Sequence, residues 1–264
     1  MPPEESRPRQ YKPTRERRAR LVGLIQDDDG PVDVHLLAAA LGVSASTVRR
    51  DVRVLEEERL LTRTYGGVID HGEERGWRQK SLEHRRQKRL IAKRAAREVQ
   101  PGMTVLLDAG TTVAELARLL GERDDIHLVT NGLSTLLALA DCSAEVTVLG
   151  GRLRRPSESI IGITTVHSLD RLSPDIAFIG AEALDPVDGI NCPERDQAVT
   201  KEIMAERSRV YWVLADSSKL SRPANFPHWC RLGAGRGLIV DGGGPDEVLA
   251  PFEQAEWVVA RARG

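Results

Sequence analysis

The sequence predicts an α/β protein in two parts, a small helical domain closed by a short strand pair and a larger domain around a mainly parallel sheet. Three observations lead there. Apolar residues recur at helical spacing in short segments up to about Leu61. From Leu90 the rhythm changes to short continuous apolar runs separated by helical stretches. The 264 residues, 41% of them hydrophobic, suffice for one small core and one large one.

Composition narrows the class further. With 4% aromatic residues, both cores are aliphatic. No apolar run approaches the length of a membrane span and the N-terminus has no apolar signal core, which predicts a cytoplasmic protein with no membrane partner. Cys142, Cys192 and Cys230 are widely spaced and odd in number, so they read as ordinary thiols rather than a disulfide framework or zinc motif. No metal and no cofactor is expected. The formal net charge of -1 does not by itself suggest nucleic acid, but the charge is unevenly spread. Arg7, Arg9, Lys12, Arg15, Arg17, Arg18 and Arg20 are offset in their stretch only by Glu16. Residues 1–13 read as a flexible basic arm, able to neutralise phosphates or to act as a disordered solubilising tail.

Residues 14–70 form the first domain. Thr14 can cap a helix to about Gln26, with Ala19, Leu21 or Val22, and Ile25 on its apolar side. Asp27 to Gly30 breaks it, and Pro31-Val32 is extended. Asp33 is a good N-cap for a second helix in which Leu36, Leu37, Ala40 and Leu41 turn inward, and Gly42 ends that helix. Ser44 then caps a third, in which Val48, Val52 and Leu55 at i, i+4 and i+7 share one buried face. Ser44, Ser46, Thr47, Arg49, Arg50 and Arg53 lie near its N-terminal half and largely outward. Guanidinium groups and hydroxyls there suit a helix entering a major groove, although the helix alone reads equally as a solvated cationic face. The run from Leu61 to Ile69 reads as two strands around Tyr65-Gly66-Gly67. Three helices and a hairpin make a winged helix-turn-helix, whose partner is double-stranded DNA, with Arg63 and Tyr65 placed to touch its backbone.

Residues 71–88 are polar and read as a linker, with Trp77 as an anchor against one domain or a dimer contact. Residues 89–264 form the α/β domain. Its strands are expected at Thr104–Leu107, His127–Val129, Val146–Leu149, Ile176–Ile179, Val210–Leu214, Gly237–Val240 and Trp257–Val259. Helices fall between most of them, at Val113–Leu120, Ser134–Ala140 and Gln197–Arg207.

Ligands of parallel sheets bind beyond the carboxyl ends of the strands. Polar and glycine residues gather there, at Asp108 with Gly110, Thr111 and Thr112, at Thr130-Asn131, at Gly150-Gly151, at Gly180 to Glu182, and at Asp216 with Ser218 and Lys219. Gly110 allows close backbone approach and the following helix offers free amides, which suits a phosphate. Asp108, Asn131, Glu182 and Asp216 are acceptors for sugar hydroxyls. Lys201 and Lys219 can supply positive charge, Lys201 reading equally as a surface lysine.

SASTVRRD, LEEERLL and the wing TYGGV resemble the DNA-binding domain of DeoR-type bacterial regulators. LLDAGTT, the TN after the second α/β strand, LGG and ADSSK resemble that family's effector domain. The resemblance implies a fold like ribose-phosphate isomerases and a phosphorylated sugar or polyol effector. It covers Asp108, Gly110, Thr111, Thr112, Thr130, Asn131, Gly150, Gly151, Asp216, Ser218 and Lys219, and places Glu194 and Lys201 where the family has a polar segment and a lysine. Glu182-Ala183-Leu184 departs from the family's G-A-D-G pattern, which narrows the pocket and implies an atypical effector. The expected function is a repressor, a homodimer or homotetramer with no catalytic residues, controlled by that effector. The alternative is a sugar-phosphate isomerase-like enzyme with an accessory DNA-binding domain, needing Glu194 or Asp108 beside Lys201 for acid-base work. A dinucleotide-binding protein is disfavoured because no G-x-G-x-x-G follows the first α/β strand.

Overall fold

The computed structural model describes residues 12–26, 32–57, 61–64, 67–70, 76–220, 226–233 and 235–263. The chain divides into two compact units, residues 1–73 and 74–264. Residues 1–11, the Asp27 to Gly30 break, Tyr65 and residues 71–75 lie outside the described residues.

In the first unit, α1 (Lys12–Gln26) begins before Thr14, which therefore sits inside the first turn rather than capping it. Helix α2 (Val34–Leu41) is capped by Asp33, whose carboxylate accepts from the His35 amide at 2.6 Å. Gly42, at φ +65°, ends it by donating to the Ala38 and Ala39 carbonyls. Of the residues expected to turn inward, Leu37 is buried but Leu36 is 67% exposed. Eight residues carry one buried stripe, and Leu36 lies about 100° around the helix from Leu37. Helix α3 (Ala45–Glu57) buries Val48, Val52 and Leu55 against Leu21, Ile25, Leu37, Leu61 and Val68. Strands β1 (Leu61–Thr64) and β2 (Gly67–Asp70) pair antiparallel, and Val32 bridges Val68 through two bonds of 2.9 Å.

Asp51 lies on the buried side of α3 and accepts from Arg17 Nε at 2.7 Å and Arg18 Nε at 3.0 Å. Burial alone would raise this carboxyl; the two guanidinium groups of α1 override it and hold it below its ordinary value. Two arginines of the basic stretch are thus committed to packing α1 on α3.

The second unit opens with α4 (Trp77–Leu82) and α5 (Arg85–Ala96). Strand β3 (Thr104–Leu107), α6 (Thr111–Leu120), β4 (His127–Thr130), α7 (Leu133–Ala138) and β5 (Glu145–Val148) then run in strict alternation. A hairpin of β6 (Arg152–Arg154) and β7 (Ser159–Ile161) precedes α8 (Ile163–Leu169) and β8 (Ile176–Gly180). Next come β9 (Ala183–Asp185), β10 (Gly189–Cys192), α9 (Arg195–Arg207), β11 (Val210–Ala215) and a 3₁₀ turn at Ser217–Lys219. The unit closes with β12 (His228–Cys230), β13 (Arg236–Asp241), α10 (Asp246–Gln254) and β14 (Val258–Ala262).

All seven expected strands join one parallel sheet in the order β14-β13-β11-β8-β3-β4-β5. The apolar runs of the central strands are continuous because both faces are covered, whereas the edge strands β5 and β14 leave Val148 and Val258 exposed. Ala177 and Ile179 of β8, with Val213 of β11, face the core that includes Met204 and Phe252. Phe178 and Leu214 face the opposite core, with Ile91 and Leu116. The β6–β7 hairpin and the antiparallel sheet β12-β10-β9 were not expected from the sequence, since strands of three or four residues without a continuous apolar run carry almost no signal. The chain enters the large sheet at β3, runs outward to β5, and returns to β3's other side at β8, so the direction of winding reverses between β3 and β8.

Asp51→Ala should destabilise the first unit by about 2 kcal/mol, the scale of hydrogen bonds to charged groups. Because the native carboxyl is held below its usual 3.8, its contribution is complete above that pH and lost as pH falls through the native value. Calorimetric unfolding of wild type and variant should therefore converge in acid.

Candidate functional site

In the first unit the reader-helix residues share the start of α3. The Ser44 Oγ lies 2.8 Å from Ser46 Oγ and 2.9 Å from Thr47 Oγ1, and accepts from the Thr47 amide at 3.2 Å, the capping bond expected. Ser44, Ser46, Arg49, Arg50 and Arg53 are exposed and Thr47 is half-buried. Arg63 stands on β1, opposite Val68; its side chain and Tyr65 lie outside the described residues.

In the second unit the reversal between β3 and β8 holds a buried ion pair. Asp108, directly after β3, accepts from the Gly180 amide at 3.1 Å and from the Lys201 ammonium of α9. Lys201 also donates to the Gly180 carbonyl at 2.8 Å. The two side chains are 2% and 6% exposed. Burial alone would push the Lys201 ammonium down; the Asp108 carboxylate reverses this and holds it above the ordinary lysine value.

Over this pair opens a cleft with a cavity volume of about 70 Å³. One wall is the β3–α6 turn, from Ala109 to Thr112, where Gly110 adopts φ +147° and a Cβ would meet nothing within 4 Å. The position thus requires glycine for its backbone angle and leaves the amide end of α6 open. Gly180, Ala181 and Glu182 also line the cleft, and β10 with the residue after it contributes Asn191, Cys192 and Pro193. Helix α9 adds Gln197 and Lys201, one turn apart, and α4 adds Trp77 and Lys80. Two buried polar atoms in this lining, Gln197 Oε1 and Trp77 Nε1, have no hydrogen-bond partner.

A lysine network extends from the wall. Glu182 meets Lys80 Nζ at 2.6 Å and Lys219 Nζ at 3.7 Å. Lys88 is buried and donates to the Lys80 and Glu83 carbonyls, clasping the end of α4, while burial pushes its ammonium below the usual range. Trp77 is anchored within this unit, its amide donating to the Pro156 carbonyl at 3.2 Å.

Of the residues singled out in the sequence, Gly110, Thr111, Thr112, Glu182 and Lys201 line the cleft, and Asp108 and Lys219 bond to lining side chains. The others do not line it. Thr130 Oγ1 donates to the Leu107 carbonyl and accepts from the Gly132 amide. Asn131 is buried and donates to Ile160, its Oδ1 unpartnered. The Gly150 carbonyl accepts from Thr165, and a Cβ on Gly151 would come within 2.7 Å of the Ile161 carbonyl. Glu194 is held by Arg152 and Arg154 of β6, which keep its carboxyl below the ordinary range against the opposing effect of burial. Asp216 accepts from the Ser218 amide and hydroxyl in the 3₁₀ turn. Sequence reading missed Trp77, Lys80, Asn191 and Gln197. Lys80 carried a usable signal, since the chain has only six lysines and this one sits among arginines. Among the described residues no group of His, Cys, Asp and Glu could hold a metal, and no helix is long and apolar enough to cross a membrane.

Residues 17–71 match the DeoR-like helix-turn-helix domain and residues 83–242 the DeoR C-terminal sensor domain. The chain belongs to the DeoR family of transcriptional regulators. It is 38% identical to the HTH-type transcriptional regulator GlpR of Haloferax volcanii over 78% of its own length and 82% of that protein. To the glycerol-3-phosphate regulon repressor of Escherichia coli it is 28% identical, over 74% of this chain and 79% of that one. Among solved structures, ribose 5-phosphate isomerase A of Methanocaldococcus jannaschii aligns over 50% of this chain and 52% of its own at 21% identity, with a TM-score of 0.38. That last likeness is loose and carries no functional weight.

Lys201→Met leaves Asp108 buried without its cation and should destabilise the second unit by about 3–5 kcal/mol. Adding Asp108→Asn should restore part of the loss, a coupling that urea unfolding of the two single variants and the double variant measures.

Proposed function

We propose that this DeoR-family regulator is a repressor whose operator affinity is set by a phosphorylated sugar or sugar-derived metabolite in the Asp108–Lys201 cleft. The observation that carries the reading is the cleft itself, in which the open amide end of α6, the Lys80 ammonium and the unpartnered Gln197 acceptor line one space. The α6 amides and the Thr111 and Thr112 hydroxyls suit a phosphate, and Gln197 Oε1 suits a sugar hydroxyl. The name of the glycerol-3-phosphate regulon repressor is consistent with a small phosphorylated polyol. Residues 14–70 read DNA as one half of a homodimer or of a pair within a homotetramer, matching a repeated operator. Of the polar stretch 71–88, the part from α4 onward packs within the sensor unit, which leaves residues 71–76 to connect it to the DNA-binding part.

Turnover is not part of this reading. Asp108 does stand beside Lys201, as the isomerase alternative required, but each is committed to the other and to Gly180. A lysine held above its ordinary value is a poor general base. Glu194, the other candidate, is occupied by Arg152 and Arg154. Incubation with ribose, glycerol and hexose phosphates, followed by NMR, should show no product.

Arg49→Ala or Arg50→Ala should weaken binding to an operator selected from random duplex DNA by about 1–3 kcal/mol at matched salt, the value of a bidentate base contact. Unchanged binding in fluorescence anisotropy would remove α3 from the reading. Thr111→Val should leave that affinity intact while reducing the thermal stabilisation given by sugar phosphates; equal stabilisation of wild type and variant places the effector elsewhere.

A further inference from the structure

Glu182 is an anion already seated in the cleft. Its carboxylate lies between Lys80 Nζ at 2.6 Å and Lys219 Nζ at 3.7 Å, and the three side chains are 15%, 15% and 12% exposed. At such burial the attraction is stronger than in a surface pair. Lys80 is on α4, and so is Trp77, one turn earlier, whose Nε1 is buried in the cleft lining without a partner. Both the charge and the unused donor of α4 therefore belong to the same space as the open end of α6. Among the other polar restraints on α4 are the Trp77 amide on Pro156 and the Lys88 ammonium on the Lys80 and Glu83 carbonyls. Strand β2 of the first unit ends at Asp70 and α4 begins at Trp77, so only residues 71–76 separate them along the chain.

We propose that an anionic ligand competes with Glu182 for Lys80, so that occupancy of the cleft is exchanged for the contact that pins α4 to β8's exit. The idea rests on the cleft being the effector site and adds how occupancy leaves it. A phosphate at the α6 amides brings negative charge into the space that holds the Glu182 carboxylate. Like charges there repel, and Lys80 relieves the repulsion by turning from the carboxylate to the ligand. Trp77 Nε1 gains an acceptor in the same step. Helix α4 then follows the ligand instead of Glu182, and the short segment joining it to the DNA-binding unit carries the difference.

The test uses the full-length protein and inorganic phosphate, titrated by calorimetry, with hydrogen exchange read on residues 77–84. Glu182→Gln removes the internal competitor and should bind phosphate about tenfold more tightly, whereas Lys80→Gln should bind it about tenfold more weakly. Phosphate should speed exchange in α4 of the wild type, and α4 of Glu182→Gln should exchange at that faster rate without it. Glu182→Asp keeps the charge and should bind like wild type, and equal weakening by Glu182→Gln and Glu182→Asp would make the effect structural and overturn the idea; if Glu182→Gln fails to fold, unchanged binding by Glu182→Asp beside weakened binding by Lys80→Gln carries the test, and weakening by Glu182→Asp as large as that by Lys80→Gln overturns it. Phosphate binding that Thr111→Val weakens but Glu182→Gln leaves unchanged overturns the competition alone. Absence of binding by wild type and Glu182→Gln alike overturns the cleft assignment with it.

Discussion

A single buried carboxylate organises the sensor unit. Asp108 follows β3, Gly180 ends β8 and Lys201 belongs to α9, and the three meet in one cluster although Asp108 and Lys201 are 93 residues apart in sequence. A carboxylate buried to this degree is tolerated only with its cation and hydrogen bonds in place. Because the cation comes from α9, that helix must lie across the carboxyl ends of β3 and β8. Gln197, one turn before Lys201 on the same face, is then carried into the cleft, and so are the residues of β10 that precede the helix. The cleft is a geometric consequence of satisfying the ion pair.

The DNA-binding unit repeats the device on a smaller scale. Asp51 is at i+3 from Val48 and four before Leu55, so it shares their buried stripe, and Arg17 and Arg18 of α1 complete it. The adjacent Arg49 and Arg50 are rotated outward by the same helical geometry. Holding Asp51 thus fixes how α3 is turned. In both units a buried aspartate paired with cations from another element orients the residues proposed to meet a ligand.

Cation type also divides by task. Arginines occupy the exposed face of α3 and the ion pairs around Glu194, where a planar fork matches an anion's oxygens. Four of the six lysines, Lys80, Lys88, Lys201 and Lys219, are gathered at or just behind the cleft wall. A compact ammonium can point its hydrogens at several acceptors at once, as Lys88 does at the Lys80 and Glu83 carbonyls and Lys201 does at the Asp108 carboxylate and the Gly180 carbonyl.

Local chemistry made much of this legible in advance. The Asp33 cap, the Gly42 stop, the stripe of Val48, Val52 and Leu55, and the seven apolar runs depend on residues near one another in sequence, and each emerged as expected. The Gly110 and Thr111 turn was legible for the same reason. What the sequence could not supply was partnership across distance. Thr130, Asn131, Gly150, Gly151 and Glu194 have the residue types of a ligand site, yet their bonds close on the protein's own strands and arginines. Lys80, Asn191 and Gln197 look ordinary and enter the cleft only because β10, α9 and α4 converge on one end of the sheet. The sequence by itself determined the helices of the first unit, the seven strands of the large sheet and the cationic face of α3, because periodicity and capping are local. Only the tertiary structure decided which polar groups satisfy one another and which face the cleft, because a buried charge takes its partner from whatever element the fold brings to it.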